Sequence, residues 1–318
     1  MRAGLAASRA RPDLATRVGG VRLANPVMTA SGTSGHGVEL APWTDLGRLG
    51  AVVVKSLAAG PWEGNPAPRL WPLPGGMLNS VGLQGPGVAA WAAEHLPGLE
   101  AAGATVVVSL WGDSVEAYRR AAEALAAVLT PAVVAVEANV SCPNVEDASA
   151  TFAHSAAATS AAVAATAAGL GGARPVWAKL SPNVTDLAEI AGAALAGGAG
   201  GLTLVNTLRG MAVDPATGRP RLGGGGGGLS GPALHPVAVR AVHEVRAAFP
   251  DAPIVGVGGV STGEDAAELI AAGADAVQVG TASFADPRAP ARVLDELVAW
   301  CDAQRISRLS ELKGRAHA

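Results

Sequence analysis

Cysteine is nearly absent: Cys142 and Cys301 are the only two in 318 residues. Two thiols form one disulfide at most, which excludes a disulfide scaffold and a four-cysteine zinc or iron-sulfur site held by this chain alone. A reducing, cytoplasmic setting is expected. Charge is also sparse, with Asp, Glu, Lys and Arg at 15%, a formal net charge of -3 and a pI near 6.1. Nothing in that balance attracts nucleic acid or an anionic membrane, and neither is expected as a partner. The histidines do not cluster at ligand spacing, so no metal site is expected. Apolar runs approaching the roughly 18 residues of a membrane span are broken by charge, Gly or Pro, or are alanine-rich stretches that read as helices. The segment 1–20 lacks the continuous apolar stretch of a signal peptide and reads as an N-terminal extension.

What the chain does have is rhythm. Hydrophobic residues make up 49%, and short β-type runs alternate with long alanine-rich helical stretches. Eight runs are predicted as strands: Val27–Ala30, Ala51–Lys55, Thr105–Leu110, Val133–Asn139, Pro175–Leu180, Gly201–Asn206, Pro253–Gly258 and Ala276–Gly280. Their apolarity is continuous rather than alternating, the signature of parallel strands buried on both faces. Helices are predicted over Ser114–Leu129, Phe152–Ala168, Val184–Ala196, Pro236–Ala248, Gly263–Ala272 and Ala289–Ala303. Eight β/α units predict one domain over 1–318, a single (β/α)8 TIM barrel with inserted loops on its C-terminal face. A doubly wound sheet is the alternative. It is disfavoured because no Gly-x-Gly-x-x-Gly follows the first strand. Two insertions, Gly60 to Gly87 and Arg209 to Gly231, are long enough to suggest function.

Chemistry is expected at the strand ends. Gly258-Gly259 follows the seventh strand and Gly280-Thr281 the eighth, where paired loops of a barrel bring backbone N–H groups against a phosphate. Lys55 and Lys179 end two strands, and a lysine there needs an anionic ligand, an electron-rich ring or a structural carboxylate as partner. Asn79, Asn139, Asn144, Asn183 and Asn206 offer paired donors and acceptors suited to a flat heterocycle with imide-like edges, although any one of them can simply form a turn. Cys142, in Asn139-Val140-Ser141-Cys142-Pro143-Asn144, reads either as a small buried hydrophobe or as a loop thiol acting as base or nucleophile. Cys301 reads as core. His36 stands in a polar loop after the first strand, with a surface role equally open.

These segments resemble the class 1 dihydroorotate dehydrogenases, FMN-containing barrel enzymes of pyrimidine synthesis. The resemblance runs from about Val21 to Phe284 and is carried by Asn25-Pro26-Val27-Met28, Gly64-Asn65-Pro66, Gly76-Met77-Leu78-Asn79-Ser80-Val81-Gly82-Leu83-Gln84, the Cys142 segment and Gly228-Leu229-Ser230-Gly231-Pro232. It implies that Cys142 is the base taking the C5 proton of dihydroorotate, while the C6 hydride passes to flavin N5 to leave orotate. Class 2 relatives carry serine there. It also implies substrate contacts from Lys55, Asn79, Asn139, Asn206 and Thr207. FMN contacts are implied for Ala30, Ser31, Lys55, Ser56, Asn139, Lys179, Val205, Gly231, Gly258, Gly259, Gly280 and Thr281.

The segment Asn206 to Asp214 is most similar to the NAD-linked 1B form, which implies a homodimer of catalytic chains and a second subunit carrying FAD and an iron-sulfur cluster. Two departures stand out. Ser109 occupies a position where the resemblance implies a flavin-contacting asparagine, and Gly223 to Gly228 is an unbroken glycine run, expected to be flexible. Alternatives are an FMN oxidoreductase acting on another dihydropyrimidine-like ring, a flavin-binding protein without turnover, and a barrel aldolase using Lys179 or Lys55 as a Schiff base.

Overall fold

The computed structural model describes residues 11–141 and 152–318. Cys142 and Asn144 lie outside the described residues. The chain enters through a hairpin, β1 (Thr16–Val18) and β2 (Val21–Leu23), paired antiparallel. Thus part of the stretch read as an extension belongs to the fold. The order then runs β3 (Val27–Thr29), β4 (Val52–Val53), β5 (Leu70–Leu73), β6 (Gly76–Asn79), α1 (Val88–Glu94), α2 (Leu96–Ala101), β7 (Val106–Leu110), α3 (Val115–Ala126), β8 (Val133–Asn139) and α4 (Ala156–Leu170). It continues through β9 (Val176–Leu180), α5 (Leu187–Ala196), β10 (Gly201–Leu204), β11 (Leu208–Gly210), β12 (Gly227–Ser230), α6 (His235–Ala248), β13 (Ile254–Val257), α7 (Gly263–Ala271), β14 (Ala276–Val279), α8 (Ala282–Ala285) and α9 (Ala289–Ala303).

Eight of these strands form one parallel sheet in the order β3-β14-β13-β10-β9-β8-β7-β4. Its edges meet: Met28 pairs with Ala51, and Thr29 N donates to Ala51 O at 3.2 Å, so β3 and β4 close the sheet into a barrel. All eight predicted strands are there, within a few residues at their ends. The predicted helices are there too, with polar caps at several N-termini. Ser114 accepts from Ala117 N, Asp186 accepts from Glu189 N, and Thr262 forms a capping box with Asp265. Among the described residues, no helix is long and apolar enough to cross a membrane.

The barrel interior is stacked in layers, as alternation along each strand requires. At the floor Met28, Val53, Val107, Ala135, Trp177, Val255 and Ala276 pack together, with Val18 and Leu23 of the entry hairpin closing that end. Gly201 makes room for the Trp177 indole, since a Cβ there would stand 3.0 Å from its Cδ1. Two residues further along the same strands the inward positions turn polar: Ser109, Glu137, Lys179 and Gln278, joined by Thr203. The larger apolar cluster lies outside, between the strands and the surrounding helices.

The two inserted loops pair with each other. They build a four-stranded antiparallel sheet, β11-β12-β6-β5, with Asn79 opposite Gly228 and Arg209 opposite Gly228 on the other side.

Candidate active site

One cavity of about 780 Å³ opens at the C-terminal ends of the barrel strands. That volume falls within the range of cofactor and ligand sites, roughly 300–1,000 Å³. Every described residue expected to bind ligand lines it: Ala30, Ser31, Lys55, Ser56, Asn79, Asn139, Lys179, Val205, Asn206, Thr207, Gly231, Gly258, Gly259, Gly280 and Thr281. They arrive from nine separate stretches of chain, so only closure of the barrel brings them together.

Asn139, at the end of β8, is the hub of the polar wall. Its Oδ1 accepts from Asn206 Nδ2 at 3.1 Å and from Ser141 N at 3.3 Å, and its Nδ2 donates to Ser56 Oγ at 3.2 Å. Tyr118 of α3, wholly buried, donates its hydroxyl to Asn139 O at 2.6 Å and holds the strand end from behind. Ser56 Oγ lies 2.8 Å from Ser109 Oγ and 3.3 Å from Ser31 Oγ. Ser109, fully buried, therefore supports the wall through Ser56. A short side chain reaches a neighbouring hydroxyl where an asparagine would extend further into the interior.

Asn206 in turn accepts from Thr207 N at 2.8 Å. Asn183 spends its side chain on the loop itself: Nδ2 donates to Thr207 O at 2.9 Å and Ser181 Oγ at 2.8 Å, and Oδ1 accepts from Arg209 N. It positions Thr207, the turn-forming role open to it in the sequence. Four of the six glycines, Gly223, Gly224, Gly227 and Gly228, are closely packed. A Cβ on Gly228 would meet Thr207 Oγ1 at 2.1 Å, one on Gly227 would meet Asn79 O at 2.4 Å, and one on Gly223 would meet Pro66 O at 2.3 Å. These glycines allow three segments to approach closely beside Thr207 and Asn79.

The lysines differ. Lys55 forms no side-chain hydrogen bond or ion pair among the described residues, and burial, with repulsion from Arg69, pushes its ammonium below the ordinary 10.5. An anion in the cavity would supply the missing partner. Lys179 lies 3.7 Å from the carboxylate of Glu137 while still bordering the cavity. Arg69, absent from the sequence-derived set, is fixed by Asn65 O at 2.6 Å and Glu63 O at 2.9 Å in the first inserted loop. Arg209 and His154 border the cavity; the Arg209 guanidinium adds positive charge to its rim, while burial, then Arg209, holds the His154 imidazole below its ordinary value and so favours its neutral form. Glu137 was missed as well, because an acidic residue inside an apolar strand run carries no motif of its own.

The loops after β13 and β14 form a backbone cradle. Gly258 and Gly259 have φ of 142° and 70°, and a Cβ on either would stand 2.7 Å or less from Ala238 or His235 at the start of α6. The N–H groups of Gly258, Gly259, Gly280 and Thr281 donate to no acceptor among the described residues. Four unpaired donors around a concavity are what a phosphate requires. Thr281 Oγ1 donates to Ser230 Oγ at 2.8 Å and ties this cradle to β12. The site thus combines a cradle of unpaired backbone N–H groups, buried lysines and a wall of amides and hydroxyls, a donor set that would fit a phosphorylated, ring-bearing cofactor such as FMN.

Two other expectations resolve away from the cavity. Cys301 is fully buried in α9, its thiol pushed up by desolvation, and is core as expected. His36 packs against His95 with ring centroids 4.6 Å apart, outside the cavity lining.

Comparison with known proteins gives the family. The family model described as dihydroorotate dehydrogenase matches residues 13–300. The chain is 47% identical over 303 residues to the catalytic subunit of dihydroorotate dehydrogenase B (NAD(+)) of Desulforudis audaxviator, covering 95% of this chain and 97% of that protein. It is 43% identical over 304 residues to the protein of the same name from Geotalea uraniireducens, covering 96% and 98%. A match across the barrel at this identity leaves one assignment: the chain belongs to the dihydroorotate dehydrogenase family.

Proposed function

We propose that this chain oxidises dihydroorotate to orotate with bound FMN, as the catalytic subunit of an NAD-linked dihydroorotate dehydrogenase. The observation that carries the reading is the cavity in which fifteen sequence-derived residues converge, with a lysine that has no side-chain partner among the described residues, a paired amide wall and unpaired backbone donors at the glycine loops. FMN supplies the chemistry of hydride acceptance at N5. The protein does the rest.

In this reading Gly258, Gly259, Gly280 and Thr281 hold the cofactor phosphate through backbone N–H groups. Ala30, Ser31, Ser56, Val205 and Gly231 border the remainder of the cofactor. Lys179 faces the ring edge where negative charge grows on reduction, and its ammonium stabilises that charge. Lys55 meets the substrate carboxylate, while Asn79, Asn139, Asn206 and Thr207 hold the pyrimidine amide edges through donor and acceptor pairs. Because Asn139 fixes Asn206, the two amides present a prearranged edge and lose little freedom on binding. Cys142 takes the C5 proton as general base, and the hydride leaves from C6.

The electrons then pass to a partner. The relatives are named catalytic subunits, and this chain has two cysteines, too few for a cluster of its own. A partner with FAD and an iron-sulfur cluster, docked on a homodimer of this chain in the cytoplasm, completes the enzyme in this reading.

The test is anaerobic. Purified protein should be yellow with FMN, and dihydroorotate should bleach the flavin absorbance without NAD or oxygen. Flavin that stays oxidised would exclude turnover of this substrate, and borohydride trapping of a substrate on lysine in a colourless protein would favour the aldolase instead.

A further inference from the structure

No role assigned so far uses Glu137, although its side chain is wholly buried inside the barrel. Oε2 accepts from Thr203 Oγ1 at 3.0 Å and from Gln278 Nε2 at 2.9 Å. Oε1 accepts no hydrogen bond among the described residues and faces Lys179 Nζ at 3.7 Å. Two neutral donors from β10 and β14 thus fix one oxygen and aim the other at the ammonium. A carboxylate this deep is costly without a cation, and Lys179 is the cation within ion-pair distance among the described residues. At 3.7 Å the ammonium is attracted but not captured, so its donors remain available to whatever fills the cavity.

We propose that Glu137 is a positioning residue and counter-charge for Lys179, setting how much positive charge the ring in the cavity feels and so how strongly the site favours the reduced cofactor. The inference rests on the FMN reading above. A lone ammonium presents a full positive charge to a ring that becomes more negative on reduction. With Glu137 behind it the pair is neutral overall, and only its dipole acts at the ring. The carboxylate therefore holds the reduction potential down.

Glu137→Gln tests this in the FMN-loaded protein. The amide keeps the size of the side chain, can still accept from Thr203, and can turn its NH2 toward Gln278 Oε1, itself without a partner. The expected result is a rise of about tenfold in the affinity ratio of reduced to oxidised FMN, about 30 mV more positive for a two-electron couple, read by equilibration with redox dyes. In a Lys179→Met background the same change should move the ratio by less than about twofold. Without the ammonium there is no paired positive charge for the amide to release toward the ring.

An unmoved potential with Lys179 present overturns the proposal, and so does an equal shift in both backgrounds. If Glu137→Gln does not fold, Glu137→Asp carries the test: withdrawing the charge by one methylene should raise the ratio about threefold, and an unchanged ratio overturns the proposal. A wild-type protein that binds no FMN would overturn the functional reading and this inference together. A flavin-loaded wild type with an indifferent Glu137 variant would overturn the inference alone.

Discussion

Asn206 Nδ2 donates to Asn139 Oδ1 at 3.1 Å, joining the end of β8 to the loop that follows β10. The two residues stand 67 positions apart in sequence, and β9 lies between their strands. Their contact turns two loop amides into one fixed edge of the cavity.

Replacing Asn139 should therefore cost more than its own contact to substrate. Asn139→Ala leaves Asn206 Nδ2 and Ser56 without that partner, and a lost buried hydrogen bond of this kind costs about 1–3 kcal/mol. The expected outcome is a KM for dihydroorotate raised about tenfold or more, with Asn206→Ala adding less than its separate effect in the double variant. Steady-state kinetics of the four proteins checks it. Full additivity would show that the two amides act independently.

Cys142→Ala should retain FMN and lose speed. Removal of a general base slows proton transfer by roughly 10²-fold or more. Stopped-flow reduction by dihydroorotate measures it, and an unchanged rate would remove Cys142 from the mechanism.

Gly228→Ala should damage the site through packing. Its Cβ would stand 2.1 Å from Thr207 Oγ1 and 2.6 Å from Thr207 Cβ, so Thr207 or β12 must move. Overpacking of this kind costs about 1–3 kcal/mol. A lowered melting temperature together with weaker orotate binding is expected. Alanine at Gly225, where nothing lies within 4 Å, tests strain alone because φ is 80°.

Lys55 predicts a pH dependence. Burial, then Arg69, holds it below the ordinary 10.5. Between its folded value and 10.5 the unfolded chain binds the extra proton, so the ligand-free protein gains stability as pH rises through that window. A bound carboxylate favours the ammonium and works in the opposite direction. Orotate affinity should thus fall as pH rises toward 10.5, starting lower than for an exposed lysine. Lys55→Met should abolish both trends. Calorimetric titration and melting curves across alkaline pH decide it, and a wild-type affinity with no alkaline decline would count against the contact.

Strand positions were legible because each barrel strand is a short, uniformly apolar run bounded by Gly, Ser or Asn, and burial on both faces demands that composition. The glycines after β13 were legible as a backbone approach that tolerates no side chain, since a Cβ on Gly258 or Gly259 would meet Ala238 or His235. By contrast, the sheet that joins β5 and β6 to β11 and β12 was not legible. Its strands are short, and the pairing that joins the two insertions, β6 with β12, spans 149 residues, so no local pattern records it.

By itself the sequence determined the eightfold β/α rhythm, the strand ends that carry Lys55, Asn139, Lys179 and Asn206, and through its motifs the resemblance to one family. Those features are local, written in propensity, periodicity and spacing. Only the tertiary structure decided that Ser109 braces Ser56, that Gly227 and Gly228 form a close-packed seam against Thr207 and Asn79, and that Glu137 lies behind Lys179. The first and the last depend on which residues face one another inside the barrel once β3 meets β4, a register set by barrel closure and not by any single segment, and the glycine seam depends on β12 pairing with β6 in the second sheet.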